Sequence, residues 1–243
     1  LTLSFSEKDE IVQAVAGEQS KIGNPIPVLL GMGGSDTKKL TEDIRKTLDW
    51  PIDGCLISTP AYSRPSQVGL ALHFEAMADA TARPLVLYNI PYRTGVNLAN
   101  DTLLRLAEVR NIVGVKDCSA DPDQSLDLLM RRPASFSVMT GEDLGYFGAL
   151  SAGADGAILA SAHVVTEDFA KLREFLREGR LSEARALWYH LRDITKLLFN
   201  EPSHGAIKHW LWRSGLINSR ELRLPMTPIS DVLAERIDGV AMP

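Results

Sequence analysis

Short apolar runs alternate with longer amphipathic segments along the first two thirds of the chain. The runs show no polar alternation, which is typical of strands buried on both faces of a parallel sheet. Strict alternation of such strands with helices predicts a parallel sheet with helical crossovers. Six strands are predicted, at Val28–Gly31, Gly54–Ser58, Leu85–Asn89, Ile112–Asp117, Phe136–Gly141 and Gly156–Ala160.

The helices are predicted from their caps and apolar stripes. Ser4 or Ser6 can cap the first helix, whose stripe contains Ile11, Val12 and Val15. Further helices are predicted at 37–48, 67–80, 100–108 and 144–152. From Thr166 the pattern is helical only: a helix at 167–178 capped by Thr166, one beginning at Ser182 and one at 205–214, before a proline-rich segment at 222–229. The predicted domains are therefore a six-stranded (β/α) barrel portion at 1–165 and a helical extension at 166–243.

Polar and aromatic residues gather after the C-terminal ends of the predicted strands. In a (β/α)8 barrel, that face carries the active site. A doubly wound open sheet is the alternative architecture, but the chain lacks the glycine fingerprint of the dinucleotide-binding sheets. The residues concerned are Tyr62, Arg64, Tyr88, Arg93, Lys116 and Gly141.

Lys116 stands at the end of the most apolar strand. Desolvation disfavours an ammonium group and lowers its pKa, and a neutral amine can form a Schiff base with a carbonyl substrate. The alternative is structural: Lys116 extends past the strand end into water, or pairs with Asp117.

Composition excludes several classes of function. The 243 residues carry a formal net charge of −5, which does not favour nucleic-acid or anionic-membrane binding. No apolar run is long enough for a membrane span. Cys55 and Cys118 lack zinc spacing and form no disulfide framework, which fits a reducing cytosol. The turn Gly31–Asp36 lacks the phosphate-loop pattern, so its glycines are better explained by close backbone approach to a strand or a ligand.

Three blocks in chain order resemble one known family. They are Thr59-Pro60-Ala61-Tyr62-Ser63-Arg64-Pro65-Ser66, Tyr88-Asn89-Ile90-Pro91-Tyr92-Arg93-Thr94-Gly95 and Gly114-Val115-Lys116-Asp117, supported by Gly141-Glu142-Asp143 and by 222–229. Together they resemble the dihydrodipicolinate synthase / N-acetylneuraminate lyase family across essentially the whole chain. The resemblance implies a (β/α)8 barrel, pyruvate-dependent class I aldolase chemistry, no metal and no organic cofactor.

The resemblance also implies roles for individual residues. Lys116 would form the imine with pyruvate, and Tyr88 would shuttle protons. Tyr62 matches a tyrosine that reaches into a neighbouring subunit, in a cytoplasmic homotetramer built as a dimer of dimers. Gly141 and Ile158 match backbone positions near the pyruvate carboxylate and the lysine.

Arg93 distinguishes the branches of the family. The synthases carry Arg-Thr-Gly here, and their arginine binds the carboxylate of the second substrate, which a guanidinium can hold with two hydrogen bonds. The chain therefore resembles the synthase that condenses pyruvate with aspartate semialdehyde in lysine biosynthesis. Three alternatives stay open: Arg93 as a solvated loop charge, a related sugar-acid lyase or dehydratase, and a catalytically impaired paralogue.

The chain departs from the family pattern at three places. The lysine strand continues Asp117-Cys118-Ser119, where the family has Glu-Ala-Ser/Thr. Ser35, Lys39 and Ala61 stand where lysine-inhibited members carry asparagine, glutamate and tyrosine, so we expect little or no feedback inhibition by lysine.

The third departure is at the front. The first two strands of the family and a Thr-Thr-Gly-Glu turn precede the chain as given. Either those residues lie outside it or a shortened relative fills the gap by rearrangement or with a partner. A true truncation would leave unpaired sheet edges and severely impair catalysis.

Overall fold

The computed structural model describes residues 2–240, and Leu1 and residues 241–243 of the expected helical extension lie outside the described part. The chain divides into two compact units, residues 1–139 and 140–243. Each unit is described by itself. The predicted domain boundary after residue 165 stays a prediction.

The first unit alternates strands with helices. Its strands are β1 Leu29–Met32, β2 Gly54–Ser58, β3 Leu85–Asn89, β4 Ile112–Asp117 and β5 Ser137–Thr140, whose last residue belongs to the second unit. Its helices are α1 Phe5–Gln19, α2 Thr37–Lys46, α3 Gln67–Asp79, α4 Pro91–Thr94, α5 Asn100–Leu106 and α6 Pro122–Arg131. The predicted bounds of β2 and β3 are confirmed, because both strands are short apolar runs with clear turn signals on either side.

The strand order confirms the predicted fold class. The sheet runs β1-β2-β3-β4-β5-β6 in chain order, and the pairs β1–β2, β2–β3 and β3–β4 are parallel. Chain order without a reversal is the topology of a (β/α)8 barrel, whereas a doubly wound sheet reverses its order at a switch point. The fold is therefore α/β and barrel-type, with six of the eight strands of such a barrel in this chain.

The core of the first unit lies between the sheet and its helices. Ile57, Leu87 and Val115 from three neighbouring strands are fully buried, and Leu70 and Phe74 of α3 pack in the same core. Burial of each such side chain contributes about 1.5–3 kcal/mol.

Two helix predictions for the first unit need correction. In α1, Ser4 forms the cap with Glu7, but only Val12 is buried, while Ile11 and Val15 are exposed, so the predicted apolar stripe is not a core face. Helix α6 was not predicted. Its signal was Asp121, which accepts from two backbone amides, followed by Pro122 at the first helical position.

The second unit is mainly helical. Its helices are α7 Tyr146–Ser151, α8 Thr166–Arg177, α9 Leu181–Leu198, α10 Ser203–Arg213 and α11 Asp231–Asp238, and its strand is β6 Gly156–Ala157. Leu172, Leu191, Leu198 and Trp210 are buried in its core. The helix predicted from Ser182 is confirmed as α9, which begins one residue earlier and buries Leu191, Ile194 and Leu198.

Three expectations for the second unit differ from the structure. The strand predicted at 156–160 contains only β6, and Ile158 continues it by donating its amide to the Thr140 carbonyl at 2.9 Å. Thr166 does not cap α8; Val165 occupies that position, and the Thr166 hydroxyl donates to the Ala162 carbonyl instead. Helix α11 was not predicted, although Ser230 caps it.

Candidate active site

Lys116 and Tyr88 lie directly opposite each other on neighbouring strands. The register of β3 and β4 pairs Tyr88 with Lys116, and the Lys116 Nζ lies 4.3 Å from the centre of the Tyr88 ring. Both side chains are half-buried at the C-terminal ends of their strands. An amine over an aromatic face is held by the negative charge of the ring face, so the contact fixes where the amine lies.

Asp117 is engaged on the other face of β4. Successive strand residues point to opposite faces, so Asp117 points away from the side of Lys116. Its buried carboxylate accepts from the Ser125 hydroxyl at 2.5 Å and from the Ser119 amide at 3.0 Å. This geometry does not favour the alternative in which Lys116 pairs with Asp117.

Gly114 brings β5 close to the lysine strand. A Cβ at Gly114 would lie 2.5 Å from the Ser137 carbonyl oxygen, a distance that real Cβ atoms essentially never show. Because Gly114 precedes Lys116 by two residues, it lies on the same face. The absence of a side chain there therefore sets the strand spacing next to Lys116.

The surroundings of Tyr88 favour a neutral phenol. Burial raises the pKa of Tyr88 above its ordinary value, and the Cys118 side chain, which is hydrogen-bonded to Tyr88, raises it further. Arg93 acts in the opposite direction and lowers the pKa of Tyr88. Arg93 is therefore close enough to Tyr88 for its charge to be felt there, although its own side chain is exposed.

Asn89 holds the segment that carries Arg93. Its fully buried amide group donates to the Asn97 side chain at 2.9 Å and accepts from the Leu98 backbone amide at 3.0 Å. Between these anchors the chain makes the single turn α4, which contains Arg93 and ends at Gly95 with a φ of 83°. The Tyr-Asn-x-Pro block thus combines the half-buried phenol of Tyr88 with Asn89, whose side-chain hydrogen bonds hold the following loop in place.

Tyr62 is the most exposed of the predicted site residues. Its side chain is 95% exposed and its φ is 72°, in the left-handed region that few non-glycine residues adopt. Its backbone amide donates to the Thr94 carbonyl at 2.9 Å. The buried Thr59 hydroxyl donates to the Thr94 hydroxyl at 3.1 Å, so the loops after β2 and β3 are tied together beneath Tyr62.

Gly141 and Ile158 belong to the second unit. Gly141 directly follows Thr140, whose carbonyl accepts from Ile158. Nearby, the Glu142 amide donates to the Thr140 hydroxyl at 3.2 Å, and the buried Asp143 carboxylate accepts from the Ser161 amide at 2.6 Å. Gly141 and Ile158, both predicted to lie near substrate, are therefore brought together by the hydrogen bond between Thr140 and Ile158.

The glycine-rich turn follows β1 and contacts the next strand. A Cβ at Gly33 would lie 2.5 Å from the Ser58 hydroxyl, so close approach explains this glycine. Ser35 donates its hydroxyl to the Ala61 carbonyl at 2.7 Å, and Lys39 forms an ion pair with Asp43 at 3.1 Å. A cation at Lys39 is unsuited to binding the ammonium groups of free lysine.

Sequence reasoning overlooked two residues at this face. The register pairs Ser58 of β2 with Tyr88, which extends the row of Tyr88 and Lys116 by one strand. The sequence pattern assigns Cys118 no role at the site, yet its side chain is hydrogen-bonded to Tyr88. Strand register could have shown both, because each lies at a position that faces the same side as Lys116.

Residues 2–240 contain neither a membrane-spanning helix nor a cluster of metal-binding side chains. Within this described part of the chain, no helix is long and apolar enough to cross a membrane. No group of three or more His, Cys, Asp or Glu side chains that could hold a metal ion was found in the same residues.

Comparison with known proteins gave consistent matches. A family model described as the dihydrodipicolinate synthetase family matches residues 1–239. The chain is 42% identical to 4-hydroxy-tetrahydrodipicolinate synthase 2 of Clostridium acetobutylicum over 88% of this chain and 74% of that protein.

Solved structures give the same match. The 4-hydroxy-tetrahydrodipicolinate synthase of Methylacidiphilum fumariolicum SolV is 34% identical, with a TM-score of 0.91 over 98% of this chain and 78% of that one. The chloride-inhibited dihydrodipicolinate synthase of Acinetobacter baumannii, solved in complex with pyruvate, is 32% identical, with a TM-score of 0.91 over 98% of this chain and 80% of that one.

Proposed function

Since this chain belongs to the dihydrodipicolinate synthetase family, we propose that it is a lyase that condenses pyruvate with aspartate semialdehyde to 4-hydroxy-tetrahydrodipicolinate. The names of its relatives support the product, and the pyruvate complex of the Acinetobacter baumannii relative supports the first substrate. The reaction would serve lysine biosynthesis in the cytoplasm.

The observation that carries the proposal is the pairing of Lys116 with Tyr88. The amine of Lys116 attacks the keto carbon of pyruvate, and water leaves as the imine forms. The imine nitrogen accepts electrons when the methyl group loses a proton, and the resulting enamine forms a carbon–carbon bond to the aldehyde carbon, whose oxygen takes up a proton. The amino group of the second substrate then attacks the imine carbon, which closes the ring and releases the amine of Lys116. Tyr88, with the Lys116 Nζ 4.3 Å from its ring centre, is the candidate to donate and accept the protons of these steps.

Tyr88 suits the role of proton donor first. Burial raises its pKa, so the phenol is protonated when substrate arrives. It can then protonate the oxygen that leaves as water during imine formation. Donation leaves Tyr88 as a phenolate, and its raised pKa favours the return of a proton to it.

Arg93 supports a second substrate that carries a carboxylate. Its exposed guanidinium stands on the single turn α4, which follows the Tyr88 strand. A guanidinium can bind a carboxylate through two parallel hydrogen bonds. Aspartate semialdehyde carries a carboxylate at the opposite end of its short carbon chain from the aldehyde, and Arg93 on the turn after the Tyr88 strand would bind it.

Tyr62 supports an assembly of several copies. A tyrosine side chain with 95% exposure and a φ of 72° is costly in an isolated chain, and such strain is commonly kept at functional sites. We propose that Tyr62 enters the site of a neighbouring copy in a homotetramer. Gly141 and Ile158 would contact the pyruvate carboxylate and the lysine through their backbone, and no metal or organic cofactor would take part.

A substrate assay with paired lysine variants tests the proposal. We expect formation of the condensation product from pyruvate and aspartate semialdehyde, abolished in Lys116→Ala. Lys171→Ala is the matched control, because Lys171 also lies over an aromatic ring, at 5.7 Å from the centre of Phe175. Equal turnover of Lys116→Ala and Lys171→Ala would contradict the proposal.

The same assay separates the sugar-acid alternative. A sugar-acid lyase would cleave or dehydrate sugar acids, through the same Lys116 imine, and leave aspartate semialdehyde unconsumed. We expect consumption of aspartate semialdehyde to be pyruvate-dependent. Turnover of sugar acids alone would replace the proposed substrate while keeping the proposed nucleophile.

A further inference from the structure

Cys118 lies beside the proposed catalytic pair. It follows Lys116 by two residues and therefore faces the same side of β4. Its side chain is 1% exposed, and its backbone amide donates to the Asn89 carbonyl at 2.8 Å, which continues the β3–β4 ladder by one residue. Because Tyr88 pairs with Lys116 in that ladder, the position of Cys118 lies diagonally ahead of Tyr88.

The phenol of Tyr88 therefore lies between two side chains of one strand. The Lys116 Nζ is over its ring, and the Cys118 side chain is hydrogen-bonded to it. The other titratable groups that act on Tyr88 are Tyr92 and Arg93, both on the turn after β3. Of these groups, Cys118 is the one whose side chain is itself buried, so its sulfur is shielded from water.

We propose that Cys118 is a positioning residue whose sulfur accepts a hydrogen bond from the Tyr88 hydroxyl and fixes the direction of that hydroxyl. A thiol sulfur is a weak acceptor, but the bond is strengthened because the sulfur is buried and Tyr88 is half-buried. The raised pKa of Tyr88 agrees with this direction of donation, since a bond donated by the phenol favours its protonated form. The alanine that the resembled family usually carries at this position could not make the bond.

An infrared measurement tests the contact without any activity. The chain contains two cysteines, and Cys55→Ala leaves Cys118 as the only S–H oscillator. Cys55 lies on β2, buried at 1% exposure, and burial raises the pKa of its thiol to about 11. In this background we expect Tyr88→Phe to move the S–H stretching band of Cys118. An unmoved band would overturn the proposal.

A kinetic measurement tests whether this hydrogen bond contributes to catalysis, which depends on the proposed synthase reaction. We expect Cys118→Ala to lower kcat about two- to tenfold, the range of one weak hydrogen bond, with little change in KM for pyruvate. Cys118→Ser should restore kcat, because a hydroxyl also accepts a hydrogen bond.

The outcomes separate this inference from the proposed function. A shifted infrared band in a protein without synthase turnover would support the contact and contradict the proposed function. Wild-type kcat in Cys118→Ala would contradict the positioning role alone. A uniformly lower kcat that Cys118→Ser does not restore would indicate a packing role and would also overturn the inference.

Discussion

Replacing Gly114 by alanine tests how closely β5 must approach the strand that holds Lys116. The added Cβ would lie 2.5 Å from the Ser137 carbonyl oxygen and 3.0 Å from the Ser137 Cβ. The first of these atoms belongs to the backbone, so it cannot rotate away. Relief therefore requires β4 and β5 to separate, or the end of β4 to turn, and either movement displaces Lys116.

The expected cost follows from this overlap. Inserting a methyl group into a packed interior costs about 1–3 kcal/mol. For a chain of this size each kcal/mol lowers the melting temperature by about 2–4 °C, so Gly114→Ala should melt about 2–12 °C below the unaltered protein. Amide hydrogen exchange should rise within residues 112–117 and 137–140, where the two strands meet.

Gly31→Ala is the matched control. Gly31 is also a strand glycine, and a Cβ added to it would meet nothing within 4 Å. We expect the Gly31→Ala substitution to change the free energy of unfolding by no more than about 0.5 kcal/mol, as ordinary surface substitutions do. Its melting temperature should therefore stay close to that of the unaltered protein. If Gly114→Ala melts no lower than Gly31→Ala and exchanges no faster at β4, the inferred contact between these strands is wrong.

Four further predictions concern the loop after β3, acid stability, the second substrate and feedback. Asn89→Ala should lose about 1–3 kcal/mol in urea unfolding, because it leaves the buried Leu98 amide without its acceptor. Burial lowers the pKa of His73, so the unfolded chain binds more protons, and stability should fall as pH drops below about 6.5; His73→Gln should flatten that slope in acid unfolding. Arg93→Ala should raise KM for aspartate semialdehyde about ten- to hundredfold in steady-state kinetics, with KM for pyruvate unchanged. Free lysine should not inhibit turnover in a concentration series that extends into the millimolar range.

The first three of these predictions have their own control variants. Asn24→Ala changes an exposed loop asparagine, and equal losses from both asparagines would refute the anchoring role of Asn89. His190→Gln changes an exposed histidine and should leave the acid slope alone. Arg110→Ala removes an exposed guanidinium before β4 and should leave both KM values unchanged. Inhibition by sub-millimolar lysine would contradict the interpretation of Lys39.

The elements that sequence predicted best are those with two independent signals. Strands β2 and β3 are apolar up to their last one or two residues and end in proline-containing turns, so both their type and their bounds followed. Helix α6 was missed because its apolar residues after Pro122 begin only at Leu126, and only Leu128 among them is buried. The strand at 156–160 was overestimated because its apolar residues continue past the two that pair as β6.

The site residues could be predicted only where the position of a residue along its strand decides to which face of the sheet its side chain points. Lys116 and Tyr88 end neighbouring strands, and the register places them opposite each other. The contact of Cys118 with Tyr88 depends on how far the Tyr88 side chain reaches and on the pairing of the two strands continuing past Asp117. Composition alone gives neither. The left-handed backbone at Tyr62 likewise depends on the loop geometry and not on any local residue preference.

Borohydride reduction in the presence of pyruvate, followed by mass mapping of the adduct, tests the central claim most directly. We predict one reduced pyruvate adduct per chain, on the peptide that contains Lys116, and none in Lys116→Ala. An adduct on another lysine, or no adduct in a folded protein, would contradict the assignment of Lys116 as the nucleophile.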